Sequence, residues 1–283
     1  MSVPFNHHYV SQCQIHNFFN SEGLISLYDK SLNNFYNKKS SKGIFSEKFS
    51  NSIYREGLVD HRFLEEDLKI FEDEFPSAVA EIKVSVRNKF FSHKGQDALN
   101  LVAFFGIIGE MRNPFRKKSH DYLLDNLFTG LSESFDNEYK KSFDRINEYK
   151  KHVTYSNRLT YSDLAFRTYE LMGGFDFQIW LLESSDCFLL PDTTGTQVRG
   201  NLGNIPNPLI NQITQVGIPI TDKIFIHVIS KKLNKGSFLK RIKKDNDTSV
   251  EQINLHIFQY AYRTVATSNM EYLKKTVSKS IKQ

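Results

Sequence analysis

The spacing of apolar residues divides the chain into strand-like and helix-like regions. Apolar residues alternate in "GLISLYDK" and "NNFYNKK" on either side of "SLNN", which predicts a β-hairpin with Leu24, Ser26 and Tyr28 on one face. From Leu64 onward, apolar residues recur every three or four positions, as is typical of amphipathic helices. After Phe175 the period shortens again to that of strands. The opening stretch "NHHYVSQ" is interpreted as a short strand beside the hairpin.

The helical middle of the chain has clear starts and stops. The segment from about Asp97 to Met111 is the most apolar, so we expect it at the centre of the helices, ending where Asn113 precedes Pro114. Ser119 is expected to cap the next helix. Further helices are predicted in "PSAVAEIKVSVRNKFF", "NEYKKSFDRINEYKKHV" and "TYSDLAFRTYELMGG".

The second half of the chain predicts strands and then helices. Strands are predicted in "FDFQIWLLES", "DCFLLPD", "QVGIPITD" and "KIFIHVISK". The segment "NKGSFLKRIKK" is interpreted as a loop with a basic run. A helix is predicted from Ser249 to Ala266, and another is expected to be capped by Ser268.

This order of elements predicts an α+β fold. We expect a small mixed or antiparallel sheet, formed by the N-terminal hairpin and the late strands, to pack on a mostly helical middle region. The length of 283 residues suits one large domain over residues 1–283. Its predicted parts are a strand region 5–40, a helical region 58–172, a strand region 175–230 and C-terminal helices 249–279.

Composition and hydropathy indicate an ordinary globular protein. The longest apolar stretch, "LNLVAFFGIIGEM", is too short to span a bilayer, so no membrane partner is expected. Cys13 and Cys187 give no disulfide framework, and no signal peptide is recognised at the start. The expected location is therefore cytoplasmic.

Several separated motifs resemble one family, the bacterial proteins grouped as domain of unknown function 4238. The resemblance rests on "HHYVSQ", "LYDK", "GEMRNPFR", "IWLLE", "FLLPDTTG", "GIPITDKIFI" and "INLHIFQYAYR". Ser11 stands where the family prefers proline, and "LPDTTG" keeps Asp192 but loses the residues usual around it. The resemblance covers nearly the whole chain, implies one domain, and brings no established activity with it.

The polar residues of these motifs form the candidate site. His8, Arg112, Asp192 and Arg263 are the predicted catalytic residues, because each lies at the end of a predicted element, where side chains can converge on a cleft. Two arginines bind phosphate well, and a histidine can move protons near neutral pH. The motif neighbours Tyr9 and Gln12 are predicted to bind the ligand.

These four residues predict an anionic, phosphate-containing ligand. The predicted reaction is hydrolysis of a phosphoester bond, with nucleic acid as one substrate class. The alternative at each position is structural: Arg112 at a helix end, Asp192 in a turn, Arg263 in an ion pair and His8 on backbone. An alternative function is a non-enzymatic module that binds nucleic acid or protein through the basic C-terminal part. Lys240 and Arg241 are its predicted contacts.

The histidines and cysteine of the opening stretch also raise the question of a metal. His8, Cys13 and His16 include a Cys-x-x-His spacing, but the sequence has no second cluster to complete a zinc site. A structural zinc is therefore not expected, and no metal ligand is assigned. A divalent cation held by Asp192 is the one cofactor class that the candidate site suggests.

Overall fold

The computed structural model describes residues 6–55, 57–131, 144, 148–149, 151–157, 160–202 and 212–281. The chain adopts an α+β fold, as its sequence predicts. The helix predicted in "NEYKKSFDRINEYKKHV" lies largely outside the described residues. No helix in the described ranges combines the length and apolar character that crossing a bilayer requires.

Apart from the short α1 near the start, the helices of the described residues lie in the middle and late parts of the chain, where the apolar period is three to four residues. They are α1 (Gln12–Ile15), α2 (Phe63–Glu72), α3 (Phe75–Asn88), α4 (His93–Arg112), α5 (Pro114–Leu131), α6 (Tyr161–Met172), α7 (Thr248–Tyr260) and α8 (Met270–Ile281).

Strands occupy both halves of the chain. The early ones are β1 (Asn6–His8), β2 (Ile25–Asp29), β3 (Asn34–Lys38), β4 (Ser46–Lys48), β5 (Ile53–Arg55) and β6 (Leu58–Asp60). The late ones are β7 (Phe175–Leu182), β8 (Leu190–Pro191), β9 (Thr196–Gly200), β10 (Gln212–Pro219), β11 (Ile224–Ser230), β12 (Phe238–Ile242) and β13 (Thr264–Thr267).

The late strands build a five-stranded sheet in the order β12-β7-β11-β10-β9. Neighbouring strands are antiparallel except β12, which runs parallel to β7 at one edge. Helix α4 lies on this sheet and also contacts α3 and α6, and most of its residues are buried. The predicted central position of this helix is therefore confirmed.

A second, four-stranded sheet joins the two ends of the chain in the order β3-β2-β13-β8. The predicted hairpin is present as β2 and β3, and the late strand β13 pairs with β2 from Thr264↔Asp29 to Thr267↔Ser26. The hairpin does dock on a late strand, but on β13 rather than on the five-stranded sheet. All five residues of β2 are buried, because helices cover the sheet as well.

Three local predictions need correction. The opening strand β1 pairs with β4 and not with the hairpin. Helix α5 begins at Pro114 rather than at Ser119, because Asn113 is extended and its side chain accepts the Phe115 N–H. The segment interpreted as a loop with a basic run contains strand β12.

The end of the chain also differs from the prediction. The helix predicted from Ser249 to Ala266 stops at Tyr260, and its last part is strand β13. The following helix begins at Met270. Of the predicted strand "DCFLLPD", only Leu190 and Pro191 are strand. The reason for the early stop lies at Asp192, described below.

Candidate functional site

His8 and Gln12 lie together beside the start of α1. His8 Nδ1 donates to the Ile44 carbonyl at 3.0 Å, so in the neutral ring Nε2 is free to accept from Gln12 Nε2, which lies 2.6 Å away. Burial lowers the pKa of His8, although the bond to Ile44 opposes the shift. His8 is therefore an uncharged imidazole at neutral pH. Its neighbour His7 points the other way and is fully buried, as strand alternation predicts.

Arg112, at the end of α4, is buried behind this pair. Its guanidinium donates to Ser11 Oγ at 2.6 Å, to Glu72 Oε1 at 3.1 Å and to the His8 carbonyl. Only 2% of its side chain is exposed. Ser11 donates to the same Glu72 oxygen. This ion pair fixes the opening stretch on α2 and α4, so the structural alternative describes the present contacts of Arg112.

Asp192 is buried in the turn after β8, and its carboxylate binds backbone N–H groups of the segment that follows α7. Its carboxylate accepts the N–H groups of Tyr262, Arg263 and Thr264 at 3.0, 2.7 and 3.0 Å. Burial raises the pKa of Asp192, and these three N–H groups oppose the shift. Because these N–H groups bond to Asp192, the chain after α7 turns into β13 instead of continuing as a helix. The Asp192 carbonyl in turn accepts from Asn113 Nδ2 at 2.6 Å.

The Arg263 side chain lies on the four-stranded sheet. Its Nε donates to Asp29 Oδ2 at 2.9 Å, and 48% of the side chain is exposed. Burial alone would raise the pKa of Asp29, but hydrogen bonds from Ser31 and Arg263 outweigh it and lower the pKa. Tyr9 lies close enough to Asp192 and Arg263 for their charges to affect its pKa. The structure therefore groups His8 and Gln12 with Arg112, and Tyr9 with Asp192 and Arg263.

Lys240 and Arg241 lie elsewhere, on the edge strand β12. Lys240 Nζ donates to Ser249 Oγ and lies 4.6 Å from the centroid of the Trp180 ring. Arg241 pairs with Glu183 at 2.7 Å and donates to the Val86 carbonyl at 2.6 Å. Both cations make contacts within the fold, and these contacts involve none of the predicted catalytic residues.

Two arginines that the sequence prediction did not include, Arg116 at the start of α5 and Arg199 on β9, lie around one carboxylate. Arg116 Nε and Arg199 Nη2 lie 3.4 and 3.0 Å from the two oxygens of Glu110. The Glu110 side chain is 7% exposed, whereas each arginine side chain is 34% exposed. Two cations thus share one buried carboxylate, which leaves one positive charge in excess at the surface.

Two aromatic rings continue this surface. Phe115 and Tyr262 stack with ring centroids 5.6 Å apart and planes 12° from parallel, and they are 41% and 39% exposed. Tyr262 also hydrogen-bonds Arg116. We call Phe115, Arg116, Arg199 and Tyr262 the arginine face. Three of its residues, Phe115, Arg116 and Tyr262, belong to the motifs "GEMRNPFR" and "INLHIFQYAYR" quoted above, so a signal for it was present in the sequence.

Lys117, one residue further, points into the opposite side of α5. It lies at a cavity of about 290 Å³, lined by Met111, Lys117, His120, Asp121, Tyr155, Ser156, Asn157, Thr160, Tyr161 and Leu164. Lys117 is buried, and its burial lowers its pKa to about 7. We call this space the Lys117 cavity. No motif marks Lys117, which in "RKK" looks like part of a solvated basic run.

The possible metal ligands of the opening stretch do not converge. His16 Nε2 bonds Ser41 Oγ at 3.1 Å, and Cys13 packs against the main apolar core. Burial raises the pKa of Cys13 to about 12, so its thiol is protonated at neutral pH. Among the residues that the structure describes, no group of three or more His, Cys, Asp or Glu side chains is placed to hold a metal ion.

Comparison with known proteins gives a family but no relative of established activity. No curated protein and no solved structure matches the chain significantly. One family model does match, and it covers residues 6–271, which include the predicted site residues, the arginine face and the Lys117 cavity. The resemblance seen in the motifs is thus confirmed, and the chain belongs to the family described as protein of unknown function (DUF4238).

Proposed function

We propose that the protein binds a phosphate-containing ligand at the arginine face. The observation that carries this proposal is the shared carboxylate of Glu110, which holds Arg116 and Arg199 side by side while a third of each side chain stays exposed. Guanidinium groups fixed in this way lose little conformational entropy when they bind phosphate oxygens. The excess positive charge also favours an anion over a neutral ligand.

The exposed aromatic pair favours a nucleotide or a single-stranded nucleic acid within this class. Phe115 and Tyr262 are parallel and partly exposed next to the arginines. Bases stack on such rings while arginines contact the phosphates, and single-stranded nucleic acid is commonly bound in this way. The stacked pair therefore supports a ligand that carries both a base and a phosphate.

Phosphoester cleavage is the reaction that we propose to test on this ligand. In it, water attacks phosphorus, the bond from phosphorus to the leaving oxygen breaks, and that oxygen takes up a proton. Arginines stabilise the developing negative charge. Arg263, exposed and next in the chain to Tyr262, and His8, uncharged at neutral pH, are the motif residues available for such roles.

The alternative, a non-enzymatic module that binds through its basic C-terminal part, has less support. Lys240 and Arg241 make contacts within the fold, while Lys274 and Lys279 pair with Glu271 and Glu251. Cations that already have acidic or polar partners gain less from phosphate than the arginines that share Glu110.

The test measures the binding of a short labelled single-stranded RNA and of ATP by fluorescence anisotropy and thermal shift. Arg116→Gln and Arg199→Gln should each weaken binding by about tenfold and lower the slope of log K against log salt by about 1. Arg167→Gln, an exposed arginine on α6, is the matched control and should bind as wild type does.

Equal binding by all three variants would overturn the proposal. Loss of binding in Lys240→Gln but not in the arginine variants would favour the C-terminal alternative instead. Hydrolysis of a phosphodiester substrate is then measured on wild type and on His8→Ala. Wild-type binding without any turnover would restrict the proposal to a binding protein.

A further inference from the structure

The Lys117 cavity is separate from the arginine face and suits a small organic ligand. Its volume of about 290 Å³ lies at the lower end of the range for ligand cavities. Its walls include the side chains of Met111 and Leu164 and the two tyrosines Tyr155 and Tyr161. Such walls favour a compact ligand with an apolar body over a heavily charged one.

The polar contacts of Lys117 fit an uncharged amine. Its Nζ lies 2.6 Å from the Ser50 carbonyl and 2.7 Å from Asn51 Oδ1, and both oxygens accept hydrogen bonds. A neutral amine has two N–H donors and one lone pair, so these two acceptors use both donors. An ammonium group would have a third N–H, and the described residues show no ion pair for it.

The surroundings of the amine act on its charge in opposite directions: the tyrosine rings and nearby carboxylates favour the ammonium form, whereas burial and Arg112 favour the neutral amine. Tyr155 and Tyr161 place their ring centroids 5.6 and 5.9 Å from Nζ. The hydroxyl of Tyr161 donates to the same Asn51 oxygen at 2.8 Å, and that of Tyr155 donates to Glu47 at 2.8 Å. Arg112 adds positive charge, which lowers the pKa of Lys117, while the carboxylates of Glu65, Glu47 and Asp121 raise it. Burial dominates, and the pKa of about 7 leaves a large uncharged fraction at neutral pH.

A buried, uncharged lysine at the wall of an apolar cavity is a nucleophile towards carbonyl carbon. We propose that the Lys117 cavity binds a small aldehyde or ketone with an apolar body, and that Lys117 Nζ forms an imine with it. The nitrogen lone pair attacks the carbonyl carbon to give a carbinolamine. Its hydroxyl then leaves with a proton as water, and the second nitrogen proton is released to give the C=N bond. Nothing is oxidised or reduced in this step.

Groups that can move these protons line the same cavity. His120 and Asp121 lie one turn beyond Lys117 on α5 and are among the lining residues. Histidine can donate a proton to the departing hydroxyl near neutral pH. Asp121 accepts the Ser156 N–H at 3.1 Å, which keeps the far wall of the cavity close to α5.

The experiment uses reductive trapping of the full chain. The protein is incubated with butanal or benzaldehyde and sodium cyanoborohydride at pH 7, and the modified lysines are located by peptide mass mapping. Lys118, the next residue and exposed, is the internal reference. Because an ordinary lysine has about 10³-fold less uncharged amine at pH 7, Lys117 should be labelled at least about tenfold faster than Lys118.

Two variants complete the test. Lys118→Arg should leave the trapping at position 117 unchanged, and Lys117→Arg should remove the fast-labelled site. The ratio of labelling rates at Lys117 and Lys118 is measured on the wild-type protein alone, so it stays informative if Lys117→Arg folds poorly. Labelling that spreads over exposed lysines and spares Lys117 would overturn the proposal. So would protection of the folded state by inorganic phosphate that depends on Lys117, because that result would identify a charged anion site.

Discussion

Asp192 shows how one carboxylate can end a helix and begin a sheet. The apolar pattern of "INLHIFQYAYR" continues past Tyr260, yet the backbone N–H groups of residues 262–264 bond to Asp192 rather than to the preceding turn of helix. Strand β13 can then pair with β2. Since one buried carboxylate accepts all three of these N–H groups, the side chain should be important for stability.

Asp192→Asn should therefore lower the free energy of unfolding by about 2–4 kcal/mol, since the amide NH₂ group leaves buried N–H donors unpaired. Urea unfolding measures this difference. Asp176→Asn is the matched control, because Asp176 accepts a single exposed N–H, from Gly236, at 3.0 Å. It should cost less than about 1 kcal/mol. Equal losses in both variants would contradict the role given to Asp192.

Lys117 makes a prediction about pH. Its pKa falls from 10.5 to about 7 on folding, so between these values the unfolded chain holds a proton that the folded chain lacks. The unfolding free energy should therefore rise with pH in this window, by up to about 1.4 kcal/mol per pH unit. The stability of wild type relative to Lys117→Met, measured at pH 7, 8 and 9, should show this rise. The stability of wild type relative to Lys118→Met should not change with pH over this range. If the stability relative to Lys117→Met is equally independent of pH, the lowered pKa is refuted.

The sequence predicts part of the candidate site. Strand alternation correctly separates His7 from His8, and the motif residues His8, Gln12 and Arg112 do meet. It does not reveal that Arg112 pairs with Glu72, because that contact depends on how α2 packs on α4. Lys117 is missed for a similar reason: its burial comes from Asn51 and Tyr161, far away in the chain. Side-chain type indicates chemistry, whereas long-range packing decides which groups are exposed.

Helix α4 fits between its neighbours because of its glycines. A Cβ on Gly109 would lie 2.4 Å from Thr194 Cβ and 2.6 Å from the Thr193 carbonyl, so the helix touches the turn after β8 directly. A Cβ on Gly95 would meet Ser85 Oγ at 2.7 Å, but that hydroxyl is on a side chain that can rotate away. The close approach at Gly109 brings Asn113, four residues further on, to the Asp192 carbonyl on that turn.

Gly109→Ala should destabilise the protein by about 1–3 kcal/mol, although alanine favours helix by about 1 kcal/mol over glycine. Gly95→Ala, in the same helix, should be neutral or slightly stabilising. Thermal and urea unfolding of both variants give the comparison. A stabilised Gly109→Ala protein would show that the contact with the turn is looser than described.

Elements with a strong period were predicted well, and short ones were not. The hairpin, the helices from Phe63 to Arg112 and the strands β7, β10 and β11 follow their apolar patterns. Strands of three residues, such as β4 and β6, have too few positions to show a period. The sequence does not predict strand β12, because its lysine and arginine resemble a solvated basic run. They lie at a sheet edge, where charged side chains are common.

The protein as a whole is held together by contacts between its two ends. The four-stranded sheet combines residues 25–38 with Leu190–Pro191 and Thr264–Thr267. Arg112 and Asp192 also bind segments that are distant in the chain. In each sheet, the strands and the helices that cover them come from separate parts of the chain. This favours the single domain predicted from the sequence.

A single cooperative unfolding transition is therefore expected. Trp180, the only tryptophan, lies in the five-stranded sheet, so its fluorescence reports that sheet, while far-ultraviolet circular dichroism reports all elements. Both signals should give the same urea midpoint. Two separate midpoints would instead divide the chain into independently folding parts.

The pairing of β2 with β13 also has a consequence during synthesis. Asp29 pairs with Thr264, so one side of the early hairpin stays unpaired until the ribosome has added the residues up to Thr267. At 5–20 residues per second, that wait is roughly 12 to 50 s. All of β2 is apolar or buried in the final fold, and an open edge of this kind tends to pair with other chains. Nascent copies of the protein should therefore depend on chaperones that shield the hairpin until its last strand arrives.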